Sequence, residues 1–344
     1  MATEFRLVLS LFLLSSLVCA ATAAPAAGDA KPKELQRLPA EVIAAWKAAG
    51  ANDGWMEEKP YGFGSMTKEP WAEPIDTPAF EFPAWKAGVI GKLPDPGVPF
   101  GISLRLARIS ADDLTELAGF KNLIEVSLVD TRIDDNGLKE LTRIKSLKAV
   151  YLMRTAVTDA GMKELASLKA LEVIGLQRTR VGDAGLKELT ALPSLRSLYV
   201  DDVTFGEEGV KAIAAIKSLR KLSAGGRSVT DAGMKHLVAL KDLRELELRY
   251  NLITDVGIKA LTGLPIEDLN ISNTLVTDAA LTELAGWKEL RELGLNHTKV
   301  TDAGLKELAK LPKLRYLTLH QSKVTNAGVD ELRKSLTKCR IDGP

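Results

Sequence analysis

At 344 residues the chain is long enough for two or three ordinary domains, and 46% hydrophobic residues supply an ample core. Its 46 Lys and Arg against 45 Asp and Glu leave a formal net charge of +1. That balance excludes the basic excess on which binding to nucleic acid or an acidic membrane surface depends.

In chain order, residues 1–23 read as an export signal. Arg6 precedes an apolar run from Leu7 to Val18, and Ala21-Thr22-Ala23 forms a small-residue cleavage site. The run is too short to span a bilayer, and no later stretch reaches the roughly 18 apolar residues of a transmembrane segment. The expected location is the periplasm, the cell envelope or the medium. Val18 before Cys19 and Ser16 three before it do not fit a lipid-anchor signal. Cleavage after Ala23 leaves Cys339 alone, so no internal disulfide is expected and packing must hold the fold.

Residues 30–100 differ in composition from the rest, and residues 24–100 are expected to form an N-terminal cap region. Pro39 to Ala49 predicts a short helix with Val42, Ile43 and Trp46 on one face and Gly50 as its stop. Residues 59–99 are rich in proline and aromatics (Tyr61, Phe63, Trp71, Phe80, Phe82, Trp85) and show no period. They suit either a cover for the apolar end of the following region or an aromatic platform for sugars. The cover is favoured because an open repeat core must be shielded.

Residues 101–336 repeat. Val300-Thr301-Asp302-Ala303-Gly304-Leu305-Lys306-Glu307-Leu308 has close copies at Val157 and Val181, and the leading residue falls at ten positions from Ile109 to Val324. The spacing is 24 residues except for one step of 23, from Ile253 to Val276. Half of each unit reads L-x-x-L-x-L, as at Leu290, Leu293 and Leu295, whose final alternation predicts a short strand with one buried face. A Thr, Asn or Ser follows (Thr131, Thr155, Thr179, Asn251, Thr274, Thr298, Ser322) and is expected to hydrogen-bond buried backbone, with stacked copies forming a ladder. In the other half, Leu305, Leu308 and Leu311 share one helix face. Asp302 fits the cap or first turn, and it stands four before Lys306, a spacing that favours an ion pair. Asn326 to Leu336 is the last helix, and residues 337–344 form a tail in which Cys339 aligns with inward-facing Leu314.

These units resemble the leucine-rich-repeat family, in particular its secreted bacterial subtype with VTDAGLKEL-type repeats. They are also similar to the cysteine-containing repeats of F-box proteins, except that Thr stands where Cys is expected. The resemblance implies an α/β solenoid, a horseshoe or arc of about ten repeats. Parallel strands would line its concave face and helices its convex face, and the concave face would bind protein.

Candidates for chemistry are few. The Asp column from Asp135 to Asp302 offers oxygen donors to Ca²⁺, but a helix-start role accounts for each member, so no metal or other cofactor is expected. His297 and His320, with Asp268 and Ser272 nearby, can be written as a triad or a metal pair. A hydrated sheet surface supplies neither burial nor an oxyanion hole, so catalysis is not expected. What remains is the concave face. The outward strand and turn positions that suit a protein partner are Tyr151, Met153, Arg154, Arg178, Tyr199, Asp201, Arg249, Tyr250, Asn296, His297, Tyr316 and His320. The sequence thus points to an exported, non-catalytic protein-binding scaffold. The alternative is a glycan-binding or hydrolytic envelope protein using residues 59–99 or His297 and His320.

Overall fold

The computed structural model describes residues 37–56, 77–344 and the backbone of 66–67. The export signal and Tyr61, Phe63 and Trp71 lie outside the described residues. Two compact units divide the chain: residues 1–35 with 71–74, which lie outside the described residues, and residues 36–70 with 75–344. All the described residues belong to the second unit.

One sheet organises it. Strands β1 (Asn52–Met56), β2 (Met66–Thr67) and β3 (Thr77–Glu81) are antiparallel neighbours in the order β2-β1-β3. From β3 onward every pairing is parallel, through β4 (Phe100–Ser103), β5 (Leu123–Ser127), β6 (Ala149–Tyr151), β7 (Val173–Gly175) and β8 (Ser197–Tyr199). The series continues with β9 (Lys221–Ser223), β10 (Glu245–Glu247), β11 (Asp268–Asn270), β12 (Glu292–Gly294), β13 (Tyr316–Thr318) and β14 (Arg340–Asp342).

A helix follows most strands: after α1 (Ala40–Ala48) come α2 (Asp135–Leu141), α3 (Asp159–Leu165), α4 (Asp183–Glu188), α5 (Glu207–Ala215) and α6 (Asp231–Leu237). The rest are α7 (Asp255–Ala260), α8 (Asp278–Leu284), α9 (Asp302–Leu308) and α10 (Asn326–Ser335). The crossover after β4 is instead a 3-10 helix, Asp112–Gly119. This is the open solenoid that the repeat predicted.

Register explains its regularity. The inward row passes from Phe80 through Ile102, Val126, Val150, Ile174 and Leu198 to Leu222, Leu246, Leu269, Leu293, Leu317 and Ile341, each paired with the next. The 23-residue step leaves Leu246 opposite Leu269. The deletion is therefore absorbed in the connection, where Gly263 turns at φ +91°. A one-residue slip in the strand itself would turn the whole apolar set outward.

The N-terminal end of this core is closed by aromatics. Trp46 of α1 is fully buried, stacks on Phe80 at 4.1 Å, meets Phe82, Phe100 and Phe120 at 5.4–5.8 Å, and donates its indole N–H to Pro94 O at 2.9 Å. At the other end Cys339 packs partly against the core, and burial pushes its thiol up to about 11.

The ladder forms in a different column from the one expected. Each Thr after the strand turns back on its own unit: Thr131, Thr155, Thr274 and Thr298 donate to the carbonyl three residues earlier at 2.6–2.8 Å. The links between units come from the Asp column. Asp135, Asp231, Asp255, Asp278 and Asp302 sit at the first helical residue, and each accepts both the backbone N–H and the hydroxyl of the next unit's N-cap Thr at 2.6–2.8 Å. Those threonines (Thr158, Thr254, Thr277, Thr301, Thr325) do the capping. The Asp302–Lys306 ion pair does not form, because its carboxylate is turned to Thr325. The motif's Gly gives the carboxylate space: a Cβ on Gly161 would lie 2.5 Å from Asp135 Oδ1. Beside Asp255, however, the equivalent residue is Ala280 and the bonds to Thr277 still form.

Candidate functional site

The strand face away from the core carries three outward rows. The first runs through Ala149, Val173, Ser197, Lys221, Glu245, Asp268, Glu292 and Tyr316, and the second through Tyr151, Gly175, Tyr199, Ser223, Glu247 and Asn270. The third, two residues after the second, holds Val129, Met153, Gln177, Asp201, Arg249, Asn296 and His320. The expected site residues therefore share one face or its edge, but they divide into two environments.

Toward the N-terminal end the face is buried. Tyr151 and Tyr199 are 1% and 0% exposed, in an apolar cluster with Met56, Ala79, Val129, Ala149 and Val173, against which Met153 packs. The sequence expected both tyrosines on the open face; they hold the outward register but offer no accessible surface. Glycine is part of the reason. Gly175 lies between them, and the Tyr151 ring passes 3.3 Å from where its Cβ would stand. Gln177 is buried as well, with its Oε1 leaning over the same glycine.

From β9 onward the face is open in part and acidic. Glu245, Asp268 and Glu292 are direct register partners on successive strands, and Lys221 caps the row by pairing with Glu245 at 2.7 Å. Burial, then the carboxylates of Glu292, Glu245 and Glu267, pushes Asp268 up to about 7. Burial, then Glu245, raises Glu292. In the next row burial pushes Glu247 up to about 7, against the pull of Arg249, which it meets at 2.8 Å. Burial likewise raises Asp201, although Ser223 Oγ, the Gly225 N–H and Arg249 oppose the shift. Charge in this row was legible as a column at repeat spacing, yet Lys221, Glu245 and Glu292 were not among the residues singled out.

The remaining candidates sit on the rim, where each strand turns toward its helix. Arg154, Arg178, Tyr250 and His297 occupy one turn position and share a left-handed backbone, φ 54–63°. Arg154 pairs with Asp130 at 2.6 Å and Arg178 with Asp202 at 2.9 Å, so both are engaged within the rim. His297 and His320 fall in different columns and are joined only through backbone, His297 N–H to His320 O at 2.8 Å. His320 N–H donates to Asn296 Oδ1 at 2.8 Å, and Tyr316 donates its hydroxyl to Asp342 at 2.9 Å. Among the described residues no group of three or more His, Cys, Asp or Glu is placed to hold a metal ion. Nor is any described helix long and apolar enough to cross a membrane.

A family model described as Leucine Rich repeat matches residues 239–261 and 290–309. No curated protein matches the sequence. Among solved structures, an internalin from Listeria monocytogenes is similar with a TM-score of 0.52 at 20% identity, over 71% of this chain and 73% of that one. A leucine-rich-repeat protein from Leptospira interrogans gives a TM-score of 0.49 at 21% identity, over 70% and 71%. At that identity the internalin likeness speaks to the fold alone, and the weaker Leptospira likeness adds nothing to it.

Proposed function

Since the chain belongs to the leucine-rich-repeat family, we propose that it is an exported, non-catalytic scaffold that binds a protein partner on the strand face from β9 to β14. One observation carries the reading: three carboxylates in direct register, Glu245, Asp268 and Glu292, with Lys221 as the one cation of their row up to β12. Parallel strands stand about 4.8 Å apart, so like charges are stacked at close range. A partner presenting Lys or Arg side chains would relieve that repulsion. Tyr316, Asn296, His320 and Arg249 add the aromatic and polar contacts on which interfaces draw. Tyr151 and Tyr199, on β6 and β8, act in this reading as packing beside the site rather than as contacts.

The test is affinity for a synthetic Lys-rich peptide, read by anisotropy on the secreted protein. Reversing charge with Glu245→Lys and Glu292→Lys should cut binding about tenfold or more, a loss of about 1.4 kcal/mol. Binding that survives both reversals moves the site off this face. Export is checked separately by fractionating cells that express the chain with and without residues 1–23; retention of both forms in the cytoplasm would refute it.

A further inference from the structure

Four of the five large apolar side chains that stand exposed among the described residues gather on one stretch of rim: Tyr250 at 57%, Leu252 at 61%, Val256 at 59% and Leu275 at 39%. Leu252 and Leu275 hold the same turn position in neighbouring units, and the Leu275 N–H donates to Ile253 O at 3.0 Å. Elsewhere that column carries Ala156, Thr204 and Ser228 and exposed Arg132, Arg180, Lys299 and Lys323, none of the four cations in an ion pair among the described residues. Tyr250 adds a cost of its own. It holds φ 63°, a backbone that a bulky aromatic rarely adopts, where Asp130 and Asn273 hold it more easily. Val256 likewise stands where most other units carry Ala.

We propose that this island is a docking site for an acidic polypeptide segment that carries apolar side chains, distinct from the acidic strand face. The charge around it selects the occupant. Arg227 borders the island on one side and Lys299 on the other, both exposed. The carboxylates at the adjacent helix starts are already committed: Asp255 to Thr277 and Asp278 to Thr301. A second copy docked about a two-fold axis would set Arg227 and Lys299 against like charges, which disfavours self-association. An acidic partner meets both flanks and covers the leucines. The proposal rests on the scaffold reading but not on the strand face.

The probe is a fluorescein-labelled peptide of about eight residues, enough to span roughly 20 Å when extended, with two Leu between Glu runs. A Lys-for-Glu version is the control. The Glu peptide should bind the full chain more weakly as salt rises, and Leu252→Asp with Leu275→Asp should weaken it at least about tenfold. Lys299→Glu should weaken it too. Glu292→Lys should leave it unchanged, which separates failure here from failure of the strand-face reading. Loss of Lys-peptide binding in the same leucine variant, or unchanged binding of the Glu peptide by that variant, overturns the proposal. So does a dimer in sedimentation equilibrium that the leucine variant dissociates, since the occupant is then a second copy. Island-dependent co-sedimentation with phosphatidylglycerol vesicles would likewise replace the peptide with lipid.

Discussion

Asp255 shows how much one side chain carries between units. It accepts from Thr277 N–H at 2.8 Å, Thr277 Oγ1 at 2.7 Å and Ala280 N–H at 3.2 Å. Hydrogen bonds to a charged partner contribute about 1.5–3 kcal/mol net, so Asp255→Ala should cost about 2–3 kcal/mol in urea unfolding. A loss under about 0.5 kcal/mol, the scale of an isolated helix pair, would mean that the carboxylate acts only on its own helix. The sequence showed that an Asp belongs at most of the helix starts. It did not show the direction of the carboxylate, because a helix-start Asp serves its own dipole, its own Lys or a neighbour with equal ease on paper. Gly161, Gly257, Gly304 and Gly328 leave the carboxylates of Asp135, Asp231, Asp278 and Asp302 room between helices. Ala280 stands in that place beside Asp255, so the turn toward the next unit's Thr does not depend on glycine. In the same way Tyr151 was legible as outward but not as buried, since its ring lies over a glycine that is distant in sequence.

At the scale of elements, the N-terminal helix and the acidic strands behave differently. Val42 and Trp46 fall on the buried face that the spacing predicted. Trp46→Ala should cost about 3–5 kcal/mol, the range for deleting a buried large aromatic. Hydrogen exchange should then rise first in β3 to β5, the strands its ring cluster covers; uniform loss along the chain would argue against an end-capping role. The strands β10 and β11 predict a pH effect. Glu247 and Asp268 have ordinary values of 4.5 and 3.8 and are pushed up to about 7 in the fold. The folded chain therefore binds more protons than the unfolded one between about pH 4 and 7. This contribution to stability is fully present below the ordinary values and is lost as pH rises through 7. Asp268→Asn should flatten the fall in melting temperature between pH 5 and 8; an unchanged slope would show that Asp268 does not titrate there. Strand positions were readable from the repeat, but this stacking depends on register across three units.

At the scale of the whole molecule, the units couple only to their neighbours, so stability is a chain of interfaces and the weakest one sets where the chain divides. The interface after α5 lacks the Asp-to-Thr link found at five others. Glu207 replaces the usual Asp and turns to His236 at 3.0 Å and Lys211 at 3.2 Å, and no carboxylate reaches Thr230 among the described residues. The turn column fails there too, with Val203 and Arg227 where the other units named have Thr, Asn or Ser. Asn251 compensates. Buried at 1% exposure, it donates from Nδ2 to Ala224 O at 2.8 Å and Leu248 O at 3.0 Å, and accepts the Val229 N–H at 2.9 Å. A Thr at 251 would keep only the bond within its own unit and leave the Ala224 carbonyl and Val229 N–H buried without that partner. Each such loss costs about 1–3 kcal/mol. Asn251→Thr should therefore split unfolding into two transitions, with exchange protection dividing near residues 227–229. Adding Glu207→Asp should supply the missing link to Thr230 and merge the two again. A single transition at the wild-type midpoint for Asn251→Thr would mean that apolar packing alone carries this interface.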